Sequence, residues 1–279
     1  GRMSVSPVEK SLRKLVRDYQ ALNSATVTEL STIPSALDFA RFTSANRPLV
    51  LAGRELAISV TPKGNADAIV DGVFAEPAIC ALPRRGPQLN RFLTGDPPEV
   101  ANIWIGGSRS KTSLHKDPYE NIYMVVRGSK TFTLLPPTEA YCLHEQVFPH
   151  ATYAFSPETS SFTLNRTSPS TSLPWIPVDP LAPDFERSPR YAYARPMKVI
   201  LHPGDMLYLP ALWYHFVEQD VGWGPEGEEK GVQAAIAVNW WYEMRHDGHL
   251  WSTCSLIRRL VLALDGREEE DLLNSDDEE

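Results

Sequence analysis

The stretch Thr112–Lys130, TSLHKDPYENIYMVVRGSK, decides how the rest of the chain reads. It holds His115 and Asp117 two positions apart, and Lys130 fifteen positions after the histidine. Side chains two apart on an extended strand point to the same face. The pair therefore offers one imidazole and one carboxylate to a single point. A third ligand is expected at the end of a distant strand, and His215 in LYLPALWYHFVEQ is the best placed. Trp213, His215 and Val217 share one face of that segment, so the imidazole can point inward. Two histidines and one carboxylate that leave open positions form the ligand set of non-haem Fe(II) sites.

Working outward, short segments rich in β-branched and aromatic residues recur between turn residues. They are Asn102–Gly106, Ser113–Lys116, Asn121–Val126, Lys130–Leu135, Lys198–Leu201, Met206–Leu209, Trp213–Glu218 and Gln233–Glu243. Gly128 and Pro203–Asp205 supply turns. Eight such strands predict a mainly β fold, a jelly roll or cupin-like double sheet. The pair His115/Asp117 falls on the second strand and His215 on the seventh, which can be neighbours in one sheet. Residues 136–196 are too many for a simple loop and read as a functional insertion. Asp220–Gly231 is a second, Gly- and Glu-rich excursion, and Ala81–Pro98 reads as loop.

Helices are expected at both ends. Leu12, Leu15, Val16, Tyr19 and Leu22 recur at helical spacing within Val8–Leu22. Leu256, Ile257, Leu260, Val261 and Leu264 do the same within Ser255–Leu264. Packing on the barrel is the simpler reading of both stripes, and a homodimer contact the alternative. Glu268–Glu279 is nearly all acidic and reads as a solvated tail. The expected organisation is an N-terminal helix with supporting strands (1–100), a β-barrel domain (101–250) with its insertion, and a C-terminal helix with the tail (251–279).

Composition narrows the classes. The 279 residues are 42% hydrophobic with net charge −8. That balance argues against nucleic acid as a direct partner and is compatible with a basic peptide. No apolar run approaches membrane-spanning length. Cys80, Cys142 and Cys254 show no paired spacing, which suggests a reducing compartment, cytoplasmic or nuclear.

Lys130 opens the fourth strand and shares a face with Phe132 and Leu134. A lysine on an apolar inward face requires an anion. A dicarboxylate that chelates iron at one end presents such an anion at the other. Thr112 and Tyr123 can donate hydroxyl hydrogen bonds to the same carboxylate, and Asn121 and Asn239 can orient ligand or cosubstrate. Taken alone, Lys130 is equally an exposed hairpin lysine. Asp179, Asp184 and Glu120 are candidates to steer a substrate ammonium group.

On these residues the chain resembles the Jumonji-C oxygenases, most closely the Jumonji-domain-containing protein seven (lysyl hydroxylase) group. The resemblance rests on TSLHKDPYENIYMVVRGSK, LYLPALWYHFV, AVNWWYE, PWIPVDPLAPD (Pro174–Asp184) and SVTPKGNADAIV (Ser59–Val70). It covers most of Ser59–Glu243, with gaps. It implies a double-stranded β-helix in which His115, Asp117 and His215 bind Fe(II), while Lys130, Thr112 and Tyr123 bind 2-oxoglutarate. It also implies O2 as co-reactant and hydroxylation of a lysine in a protein, such as a developmentally regulated GTP-binding protein. Histone Lys/Arg demethylation and histone-tail proteolysis are the alternatives the family carries. The chain departs from the group in two places. Only LAGRELA separates RPLV (Arg47–Val50) from ISVTP, and a strand bearing a cosubstrate-binding tyrosine is missing between Phe92 and Glu99. The departures raise a further alternative, a catalytically impaired barrel that binds peptides. A cupin using another divalent metal fits Lys130 and the insertion poorly.

Overall fold

The structure is a computed structural model that describes residues 5–53, 98–166, 172–221 and 234–267. Ser59–Val70, the loop ahead of Pro98, most of Asp220–Gly231 and the acidic tail lie outside the described residues.

Helix α1 (Pro7–Leu22) starts where Ser6 accepts from the Glu9 N–H at 3.1 Å, with proline at the first helical position. Both features satisfy or remove donors that the first turn leaves unpaired. Strands β1 (Thr28–Leu30) and β2 (Leu49–Leu51) flank α2 (Ala36–Ser44), which Ser35 caps in the same way. The predicted strands follow as β3 (Val100–Gly106), β4 (Lys111–His115), β5 (Tyr119–Arg127) and β6 (Ser129–Leu135). The insertion then carries structure of its own. A short 3-10 helix (Pro137–Cys142) precedes β7 (Gln146–Pro149), β8 (Ala151–Ser156), β9 (Ser161–Arg166) and β10 (Ser172–Trp175), and a second lies at Pro189–Tyr193. The chain resumes with β11 (Met197–Leu201), β12 (Met206–Leu209), β13 (Tyr214–Asp220), β14 (Ala235–Glu243) and α3 (His249–Leu264).

Two sheets result. The larger runs β1-β2-β12-β5-β14-β3 and the smaller β11-β6-β13-β4. Apart from β6 and β11, which pair within the smaller sheet, successive strands of the predicted eight pass from one sheet to the other, which is the winding of a jelly roll. Between the sheets lies a core of Tyr123, Val125, Phe132, Leu134, Leu207, Trp213 and neighbours. The alternate residues Tyr214 and Phe216 face the other way, into a core covered by α1, α3 and the first 3-10 helix. α2 covers the outer face of the larger sheet through Phe39.

The helix stripes need correction at their edges. Leu12 and Val16 are buried, but Leu22, in the last turn, is 84% exposed. α3 begins six residues before the predicted start and buries Cys254, Ile257 and Val261. Leu256 sits about 100° round the helix from Ile257 and is 57% exposed.

Candidate active site

β4 and β13 are hydrogen-bonded neighbours, and His115 stands directly opposite His215. The ladder slips between that pair and the next, where Val217 faces Thr112. Two steps on β13 thus match three on β4. Such a bulge re-aims the extra-residue strand, so Thr112 and His115 line the same cavity despite their odd spacing.

Asp117 is not on the strand with His115. β4 ends at His115, and Asp117 occupies the turn before β5. Pro118 has no N–H to extend a ladder. The Asp117 carbonyl instead accepts from the Leu212 N–H at 2.9 Å, tying the turn to the approach of β13. Leu212 holds φ +67°, a strained value for a side chain of its kind.

The three side chains converge. Ligand atoms of His115, Asp117 and His215 lie within 4.8 Å of one another. Both histidine Nε2 atoms face the same oxygen, Asp117 Oδ2, at 3.7 Å from His115 and 3.5 Å from His215. Each Nδ1 lies against a backbone carbonyl, Ser113 at 2.7 Å and Trp213 at 3.0 Å. A carbonyl only accepts, so each Nδ1 carries the proton and each Nε2 presents its lone pair. Cis ligands about 2.1 Å from one ion sit about 3.0 Å apart, so small shifts would close this set on a metal. Burial, reinforced by His115, lowers the His215 pKa to about 3 and leaves it neutral at ordinary pH. Burial also raises the Asp117 pKa, partly offset by His115. A bound cation would reverse that rise. Trp175 stacks parallel to His115 at 6.0 Å and donates to Ser113 Oγ at 3.1 Å.

The adjoining cavity, about 100 Å3, brings together Thr112, Asn121, Tyr123, Lys130 and Asn239 with the triad. Lys130 is 4% exposed, and burial lowers its pKa from 10.5 to about 8. Its ammonium donates to Gln219 Oε1, and no carboxylate pairs with it among the described residues. A buried cation without an anion calls for one. Lys130 faces Gln219 across the sheet, while Leu134 faces His215. Those four residues span about 13 Å of strand, and the lysine side chain reaches over part of it. The remainder suits a short dicarboxylate. Burial raises the Tyr123 pKa far above neutral, which keeps its hydroxyl a donor. Asn239 is committed within the protein: its Nδ2 donates to Asn121 Oδ1 at 3.0 Å and its Oδ1 accepts from Trp104 Nε1 at 2.8 Å.

The three steering carboxylates are placed otherwise. Glu120 is half-buried and accepts from the Tyr208 hydroxyl at 2.7 Å and the Ala211 N–H at 3.2 Å, bracing β5 to β12. Asp179 and Asp184 accept from backbone N–H groups of their own turns. Sequence reasoning missed Trp104, Ser110, Gln219 and Trp241 as cavity walls. Trp241 was within reach, since it shares strand parity with Asn239. Trp104 needed the register of β3 on β14, which no local pattern encodes.

A jelly-roll barrel with two histidines and one carboxylate around a shared point is a candidate mononuclear metal centre of the cupin type. Residues 75–248 match the cupin-like domain family. The human "Bifunctional peptidase and (3S)-lysyl hydroxylase JMJD7" is 35% identical over 231 residues, covering 69% of this chain and 69% of that protein. The Arabidopsis thaliana "Lysine-specific demethylase JMJ32" is 38% identical over 197 residues, covering 66% of this chain and 55% of that one. The Dictyostelium discoideum "JmjC domain-containing protein E" is 35% identical over 159 residues, covering 53% and 43%. The chain belongs to the cupin-like Jumonji-C family of oxygenases.

Proposed function

We propose that this protein is an Fe(II)- and 2-oxoglutarate-dependent hydroxylase acting on a lysine side chain of a protein, a developmentally regulated GTP-binding protein being the favoured substrate. One arrangement carries the reading: two Nε2 lone pairs aimed at one oxygen of Asp117, in a cavity shared with the buried, anionless Lys130. His115, Asp117 and His215 would hold the metal. When bound, iron and the oxoacid supply an oxidant that puts one atom of O2 into a C–H bond, as the oxoacid splits to succinate and CO2. Lys130 pairs with the remote carboxylate of the oxoacid, with Thr112 and Tyr123 donating hydroxyls to it. Asn121, held by Asn239, which Trp104 holds in turn, orients what enters between. The aromatic walls exclude water, which strengthens each of these contacts. The human relative's name as a lysyl hydroxylase supports lysine as the target. A cytoplasmic or nuclear setting belongs to the same proposal, and the buried free thiols Cys142 and Cys254 suit a reducing compartment. A homodimer is also part of it, to be decided by light scattering.

The second reading is demethylation of methylated lysine, favoured by the name of the Arabidopsis relative. Incubation with Fe(II), 2-oxoglutarate and paired peptides separates the two. The proposal expects one added oxygen on an unmodified lysine by mass spectrometry and no formaldehyde. Formaldehyde from a methylated peptide, with unmodified peptides untouched, would establish the demethylase instead. No succinate with any peptide would leave a barrel that only binds.

A further inference from the structure

β13 runs the length of the triad cavity. His215, Val217 and Gln219 alternate along it onto one face, and all three line that cavity. His215 marks the metal end, and Gln219 the far end, opposite Lys130 on β6. The Gln219 amide is fixed from both sides. Its Nε2 donates to the Gly107 carbonyl at 2.9 Å, and its Oε1 accepts from the Lys130 ammonium. A carbonyl cannot donate and an ammonium cannot accept, so the amide has one orientation. The turn that supplies the carbonyl is itself held. Gly107 also accepts from the Ser110 N–H at 2.9 Å, and Ser108 Oγ accepts from the Val221 N–H at 3.3 Å. Gly106 leaves the side chain its room, because a Cβ there would collide with Gln219 Nε2. Gln219 is thus a strut across the far end of the cavity, from β13 to the turn between β3 and β4. The chemistry proposed above gives it no task.

We infer that Gln219 is the length gauge of the cosubstrate site: it closes the cavity at Lys130 and so selects the carbon chain of the dicarboxylate that enters. The inference rests on the proposed function, because it takes a 2-oxo dicarboxylate as the occupant. An acid held at the triad by one end has to reach Lys130 with the other. A chain too short leaves the buried ammonium with a neutral amide alone. A chain too long meets the Gln219 side chain, which cannot withdraw without giving up both of its hydrogen bonds. Neutrality is part of the task. The amide oxygen gives Lys130 a partner but leaves its charge unanswered, so an entering carboxylate still finds a cation. A carboxylate in place of the amide would cancel that charge. One methylene too many in a fitted site costs about 10–200-fold.

The test uses the full chain with Co(II) and reads the binding of 2-oxoglutarate and of its homologue longer by one methylene, 2-oxoadipate, by calorimetry. Succinate formation from 2-oxoglutarate by the Fe(II) protein is read separately. The unaltered protein should favour 2-oxoglutarate by about ten-fold or more. Gln219→Asn, shorter by one methylene, and Gln219→Ala should each move the ratio of the two affinities toward 2-oxoadipate by about ten-fold or more, as the lysine ammonium follows the carboxylate into the vacated space. Gln219→Glu keeps the length and adds a charge. It should weaken both acids by about ten-fold or more and leave their order unchanged. A merely structural residue would weaken both acids alike in every variant, and the use of several variants means that poor folding of one does not hide the result. An unchanged length preference in both Gln219→Asn and Gln219→Ala overturns the inference, as does undiminished binding in Gln219→Glu. Succinate from the unaltered protein would then keep the hydroxylase reading and remove the gauge. A shifted preference without any succinate does the reverse. Binding of neither acid by the unaltered protein overturns both.

Discussion

Lys130 shows at the scale of one residue how function and stability oppose each other. Its ammonium is buried without a counter-anion among the described residues, and its pKa falls from 10.5 to about 8. Between those two values the unfolded chain holds more protons than the folded one. Stability should therefore rise with pH across that window, while below about pH 8 the full penalty is present. Lys130→Met should raise the melting temperature of the cosubstrate-free protein at pH 7 and raise the 2-oxoglutarate requirement by about ten-fold or more. In the unaltered protein, 2-oxoglutarate binding should weaken above about pH 8, where the free lysine loses its charge. Calorimetry and titration read both effects; an unchanged requirement in Lys130→Met would make the residue structural. The sequence exposed Lys130, the triad and the two asparagines because ligand chemistry needs those residue types. It did not expose the task of Glu120, whose partners Tyr208 and Ala211 lie some ninety positions away. Carboxylates that brace a core and carboxylates that meet a substrate look alike in one dimension.

Among elements, the β5–β6 corner between the two sheets aims the site, since β5 carries Asn121 and Tyr123 and β6 carries Lys130. Gly128 turns it at φ +71°, and a Cβ there would lie 2.4 Å from the Asp220 carbonyl oxygen. Gly128→Ala should cost about 1–3 kcal/mol through strain and this clash, seen as a lower urea midpoint with an unchanged slope. A neutral result would show that β13 yields at its end. The eight barrel strands were legible because each is a short β-rich run between turn residues, and alternation placed Trp213, His215 and Val217 inward. The β4 bulge was not legible, because a ladder slip depends on the partner strand. The hairpins β7–β10 and β8–β9 were read as one irregular excursion for a related reason. Pairing inside an insertion has no core to impose alternation, and both strands of β8–β9 expose bulky residues such as Tyr153 and Leu164. The helix stripes were right in their middle turns and failed at Leu22 and Leu256, where the covering surface runs out.

For the whole molecule, the triad joins the β4–β5 turn to β13, so metal binding should stabilise the barrel as a unit. A ligand at about 100 times its dissociation constant contributes about 2.7 kcal/mol, which for a protein of this size is several degrees of melting temperature. Co(II) should produce that rise, 2-oxoglutarate should add to it only when metal is present, and His215→Ala should show neither. A rise from 2-oxoglutarate alone would mean that Lys130 captures the dicarboxylate without the metal. The central claim is that His115, Asp117 and His215 form a working iron centre that consumes 2-oxoglutarate. Its most direct test is succinate formation from 2-oxoglutarate under air with Fe(II), compared among the unaltered protein, His115→Ala and His215→Ala at matched folded concentration. The account predicts succinate from the unaltered protein, increased by a lysine peptide, and none above background from either variant. Equal succinate from all three, or none from the unaltered protein with a lysine peptide present, would contradict it.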